Sequence, residues 1–170
     1  MTATRTKQRF ARKGNSLIEL TLATLLVGVL LSAALTATGQ SLLAQRKTAD
    51  RIAGQQLATT MLAEVLAKPY NDPGGSLSIL GLDLLEILSQ ESSYDDVDDY
   101  HGHTESPPNT ATGVAIPGYT GWTRSVSIAW VDATTLAVVT SDSGVKRVTV
   151  TVSAPGGGTS TATGFAVNAP

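Results

Sequence analysis

The apolar positions of this chain follow two rhythms, and the change between them divides the molecule. From Leu20 to Gln45 no residue carries a formal charge, and Leu20 to Leu35 is dominated by Leu, Val and Ala. A hydrocarbon core about 30 Å thick takes roughly 20 helical residues, so this run is long enough to cross a membrane. Proline, which would break the helix, is absent before Pro69. After Arg46 the continuous run gives way to a stripe: Ala49, Ala53, Leu57, Met61 and Val65, with Ile52, Leu62 and Leu66 beside it. That spacing places one apolar face on a helix that continues outward. Unbroken from Ser16 to Ala67, such a helix would be on the order of 80 Å long. Pro69, Pro73, Gly74 and Gly75 then end it.

The remaining pattern is that of a head with strands. Leu77 to Leu88 mixes helical spacing with partial alternation and is read as a short helix. Trp122, Val126, Ile128 and Trp130 alternate with Thr123, Ser125, Ser127 and Ala129, which predicts a strand with one buried face. Thr135 to Thr140 is read as a second strand and Ser141 to Gly144 as a hairpin turn. A third strand has Val148, Val150 and Val152 facing inward; Pro155 to Gly158 turns the chain into a last one around Thr161 to Val167. The predicted class is α+β: a long N-terminal helix, membrane-spanning and then amphipathic, packed on a small antiparallel sheet.

Charge sharpens this division. The formal net charge is -2, yet Arg5, Lys7, Arg9, Arg12 and Lys13 precede Gly14 while every acidic residue follows it. The basic cluster should stay cytoplasmic, leaving the C-terminal part outside. The acidic remainder offers no basic patch with which to displace counterions from nucleic acid. There is no cysteine, so disulfides, thiolate metal sites and cysteine nucleophiles are excluded.

Glu19 is an ionisable residue just inside the apolar run, where lipid burial costs several kcal/mol without a partner. Ser16-Leu17-Ile18-Glu19 fits the capping-box pattern, so helix chemistry alone also accounts for it. The longer string Lys13-Gly14-Asn15-Ser16-Leu17-Ile18-Glu19-Leu20 resembles the processing site of type IV pilins and type II secretion pseudopilins. Members of that family carry a basic leader ending in glycine, then a hydrophobic helix with glutamate at its fifth residue. The resemblance implies cleavage by prepilin peptidase after Gly14, N-methylation of the new terminus at Asn15, and pairing of Glu19 with the N-terminal amine of a neighbouring subunit. It covers the first third of the chain. Asn15 stands where phenylalanine is usual, and Thr36 where many members have a helix-kinking proline, so a smoother helix is expected. The implied division is a leader at 1–14, a helix at 15–68 crossing the membrane at about 20–40, and a periplasmic or extracellular head at 69–170. A competing reading is a secretory signal peptide cut at Ala37-Thr38-Gly39, starting the mature chain at Gln40. A glutamate opening the apolar run and the length of that run count against it.

In the head, Asp95, Asp96, Asp98 and Asp99 cluster beside His101 and His103. Clustered carboxylates suit a hard cation such as calcium, which related major pseudopilins can bind in head loops, but the spacing lacks the EF-hand pattern. A solvated structural loop is therefore the favoured reading. The His-x-His pair supplies only two ligands, too few for zinc. Gly156 to Gly158 lacks the lysine and helix start of a phosphate loop, and no catalytic constellation is recognisable, so an enzyme is not expected. The expected protein is a structural subunit of a pilus or pseudopilus in the bacterial inner membrane, with the absent cysteines favouring a minor pseudopilin over an adhesive pilin closed by a disulfide. Its expected partners are other such subunits, prepilin peptidase, the assembly platform and membrane lipid. The alternative is a membrane-tethered module that binds calcium, sugar or secreted cargo without entering a filament.

Overall fold

A computed structural model of the chain describes residues 16–72, residue 80 and residues 94–168. Helix α1 runs Leu17–Leu66. Four strands follow: β1 Thr104–Glu105, β2 Thr123–Trp130, β3 Val145–Ser153 and β4 Thr159–Val167. They form one sheet in the order β1-β2-β3-β4, every neighbouring pair antiparallel. The α+β class and the meander are therefore as the spacing predicts. The chain divides into two units, Met1–Ala44 and Gln45–Pro170.

In the first unit α1 is exposed at every described residue. It is the one helix among the described residues long and apolar enough to cross a membrane. Its hydroxyls are turned back onto the helix: Thr21 donates to the Ile18 carbonyl, Ser32 to Val29, Thr36 to Ser32 and Thr38 to Ala34, each at 2.9 Å. Polar side chains satisfied this way can face an apolar medium with no donor left open. The helix passes through Thr36 without interruption.

In the second unit the rest of α1 lies on the sheet. Leu57, Ala58, Met61 and Val65 pack against Val126 and Ile128 of β2, Val148, Val150 and Val152 of β3, and Ala162 of β4. The three β3 valines are essentially inaccessible, and each contributes about 1.5–3 kcal/mol of burial. The expected stripe is buried at Leu57, Met61 and Val65, with Ala53 and Leu62 packed against the core, and it widens on one side. Ala49 and Ile52 are exposed, whereas Gly54 and Ala58 are buried. The reason is steric: a Cβ on Gly54 would lie 2.7 Å from Ser160 Oγ and 3.1 Å from Ser160 Cβ. Glycine at 54 thus permits α1 to approach β4 closely, and Ser160 Oγ donates to the Arg51 carbonyl at that crossing.

Two further expectations change. Thr135 to Thr140 is not a strand. Asp132 Oδ1 accepts from the Thr134 and Thr135 amides at 3.0 and 2.7 Å, folding the chain back at once. Only the isolated bridge Val131↔Val138 remains of the expected pairing. Side-chain capture of backbone amides by aspartate competes with a ladder in this way. The connection from β2 to β3 is consequently longer than a hairpin turn at Ser141 to Gly144. The Pro155 to Gly158 turn is present, closed by the Ala154 amide donating to the Gly158 carbonyl at 2.8 Å. Strand β1 has no counterpart among the expected elements. The expected short helix at Leu77 to Leu88 lies outside the described residues, apart from Leu80, which packs against the core.

Candidate functional site

Two places carry chemistry: the opening of α1 and a set of buried charges in the head. At the first, the Leu20 amide donates to the Ser16 carbonyl at 3.1 Å, starting the helix ladder. Glu19 sits in the first turn, where the positive end of the helix dipole favours a carboxylate. It is exposed, and among the described residues it makes no hydrogen bond or ion pair. Gly14 and Asn15 lie outside the described residues.

The acidic segment of the head differs from the solvated loop expected of it. Asp95 is exposed, but Asp96, Asp98 and Asp99 are buried, each at 5 % exposure. Asp99 Oδ2 accepts from the amides of Asp95 and Asp96 at 2.8 and 3.2 Å, and Asp96 Oδ1 accepts from the Asp99 amide at 3.1 Å. These reciprocal bonds tighten the 3-10 turn Asp98–Tyr100. Its Tyr100 then enters the core, with Tyr100 Oη donating to Glu64 of α1. Burial raises the Asp96 carboxyl to about 6, with the charges of Asp99 and Asp98 adding to the effect and backbone hydrogen bonds opposing it. Burial also raises Asp98, against the lowering pull of Lys146. The segment is therefore a folded plug whose buried carboxylates, Asp96, Asp98 and Asp99, are engaged with backbone and with Lys146. Among the described residues no three His, Asp or Glu side chains converge as a metal ion would require.

His101 and His103 do not act as a pair. His101 Nδ1 accepts from the Ile128 amide at 3.0 Å, whereas His103 lies between Tyr94 Oη and Glu105 Oε1, each at 3.2 Å.

The functional candidates missed by spacing are two buried cations. Arg124 donates to Glu105 Oε2 through Nε at 2.9 Å and to the Asn109 carbonyl through Nη2 at 2.8 Å. Lys146 is wholly inaccessible, 2.8 Å from Asp98 Oδ2, and it donates as well to the Tyr70 carbonyl. A signal for both existed: Arg124 shares the parity of Val126 and Ile128, and Lys146 that of Val148 and Val150. A charge at an inward strand position demands a buried partner. A scan against protein-family models, a search of curated proteins and a search of solved structures each find no match for this chain.

Proposed function

We propose that this chain is a structural subunit of a type IV pilus-like or type II secretion pseudopilus assembly, processed after Gly14 and polymerised through α1. The observation that carries the reading is that one helix has two surfaces of different kinds. Residues 17–43 of α1 are exposed and, Glu19 apart, uncharged and mostly apolar, while Leu57, Ala58, Met61 and Val65 join the core of a small β head. An exposed apolar half has to be covered by lipid or by other helices, and a subunit that moves from membrane to filament meets both in turn. Glu19 adds specificity. A carboxylate in such a surface is tolerable once paired, and the N-terminal amine of a processed neighbour at Asn15 is the partner this reading supplies. The head would then lie on the periplasmic side of the inner membrane, with the assembly platform and prepilin peptidase as transient partners.

The test combines processing with assembly. Mature protein should begin at Asn15, and Glu19→Ala should insert into the membrane normally yet enter filaments at no more than a tenth of the wild-type level. A mature chain beginning at Gln40, or full incorporation of the Glu19 variant, would remove the basis of the assignment.

A further inference from the structure

Lys146 and Asp98 form a buried ion pair in which one carboxylate oxygen has no hydrogen-bond partner among the described residues. Lys146 occupies an inward position of β3, opposite Trp130 on one side and Ala166 on the other. Its Nζ donates to the Tyr70 carbonyl and lies 3.9 Å from the centre of the Tyr70 ring. Asp98 presents Oδ2 to it at 2.8 Å, while Asp98 Oδ1 is buried and has no hydrogen-bond partner among the described residues. A carboxylate left with one buried oxygen bare is poorly stabilised as an anion, and burial of both charges is unfavourable.

We propose that Lys146 and Asp98 condense to an isopeptide bond, an amide between Lys146 Nζ and Asp98 Cγ formed within the folded head. Transfer of one proton from Nζ to the carboxylate converts the ion pair into a neutral amine and a neutral acid, the pair able to react. Burial favours the neutral acid on Asp98, and the charges of Asp142 and Asp99 favour it further, against the pull of Lys146. The Nζ lone pair attacks Cγ, a carbon–oxygen bond breaks, and a second Nζ proton leaves with that oxygen as water. The third proton stays on the amide nitrogen. One positive and one negative charge disappear together, and no oxidant or other reactant is consumed. The fold supplies proximity, which makes attack of a held amine on a held carboxyl effectively unimolecular. The product suits the site, since its single N–H meets the Tyr70 carbonyl and no charge remains buried. Residues 48 apart in sequence would be joined, tying the acidic turn covalently to the sheet and restricting the unfolded chain much as a disulfide does.

The measurement is the mass of the full-length chain under denaturing conditions, with its N-terminus assigned independently. The bond predicts a mass one water below that of the sequence. Trypsin should cut after Arg147 but not after Lys146, and a branched peptide should join the Lys146 and Asp98 segments. Lys146→Arg should restore the full mass; if that variant does not fold, the wild-type peptide map decides alone. A full-mass wild-type chain cleaved normally after Lys146, or a water lost at any other residue, overturns the proposal.

Discussion

Replacing Arg124 by methionine removes the guanidinium from a site where both it and the Glu105 side chain are 2 % exposed. The apolar part of the side chain is kept, so the loss is electrostatic rather than a cavity. Glu105 retains the Asn109 amide on Oε2 at 3.0 Å and His103 Nε2 on Oε1 at 3.2 Å. Breaking a buried ion pair by removing one member costs about 3–5 kcal/mol, and the bonds that remain place the expected loss near the lower end. The assay is urea unfolding of the full chain in mild detergent, followed by the fluorescence of Trp122 and Trp130. With a slope of about 1–3 kcal/mol/M the midpoint should fall by about 1–3 M. Adding Glu105→Gln should recover part of the loss, because the amide keeps an acceptor for Asn109 and carries no charge. A loss under about 1 kcal/mol, or a double variant less stable than Arg124→Met alone, would refute the idea that the buried charge sets the cost.

Two other outcomes follow from the head. Asp96 holds its proton more tightly when folded, since its carboxyl rises to about 6 from an ordinary value near 4; the folded state is therefore favoured at low pH, and that advantage is lost as pH rises through about 6. Asp96→Asn keeps an acceptor for the Asp99 amide without the charge. It should thus be more stable than wild type by about 1–3 kcal/mol at pH 7.5, with the difference shrinking toward pH 5; a variant less stable at pH 7.5 contradicts this. Gly54→Ala should destabilise by about 1–3 kcal/mol in thermal unfolding, because Ser160 Cβ cannot swing away. Gly164→Ala should cost less, since its nearest obstacles are the methyl ends of Leu66 and Leu62 at 2.8 and 3.3 Å, which can rotate; the reverse order would count against a close helix–sheet crossing at Gly54.

The sequence by itself determined the periodic features. An uncharged run must become a helix when its backbone has no water to bond, and Val148, Val150 and Val152 alternate because a strand has a period of two. Those local rules were enough for α1, β2, β3, β4 and the antiparallel character of the sheet, though not for β1. Glu19 was legible for the same reason, being a charge out of place in an apolar run. What the tertiary structure alone decided depends on contacts between distant residues. Asp98 and Lys146 are buried together because the chain between them returns to the same place, and the run of acids around Asp98 looked like a solvent-exposed loop until that return was visible. Gly54 widened the buried helix face toward β4 because a backbone can approach Ser160 only where no Cβ intervenes. Asp132 drew the chain out of the strand expected at Thr135 to Thr140 through side-chain bonds that periodicity does not register.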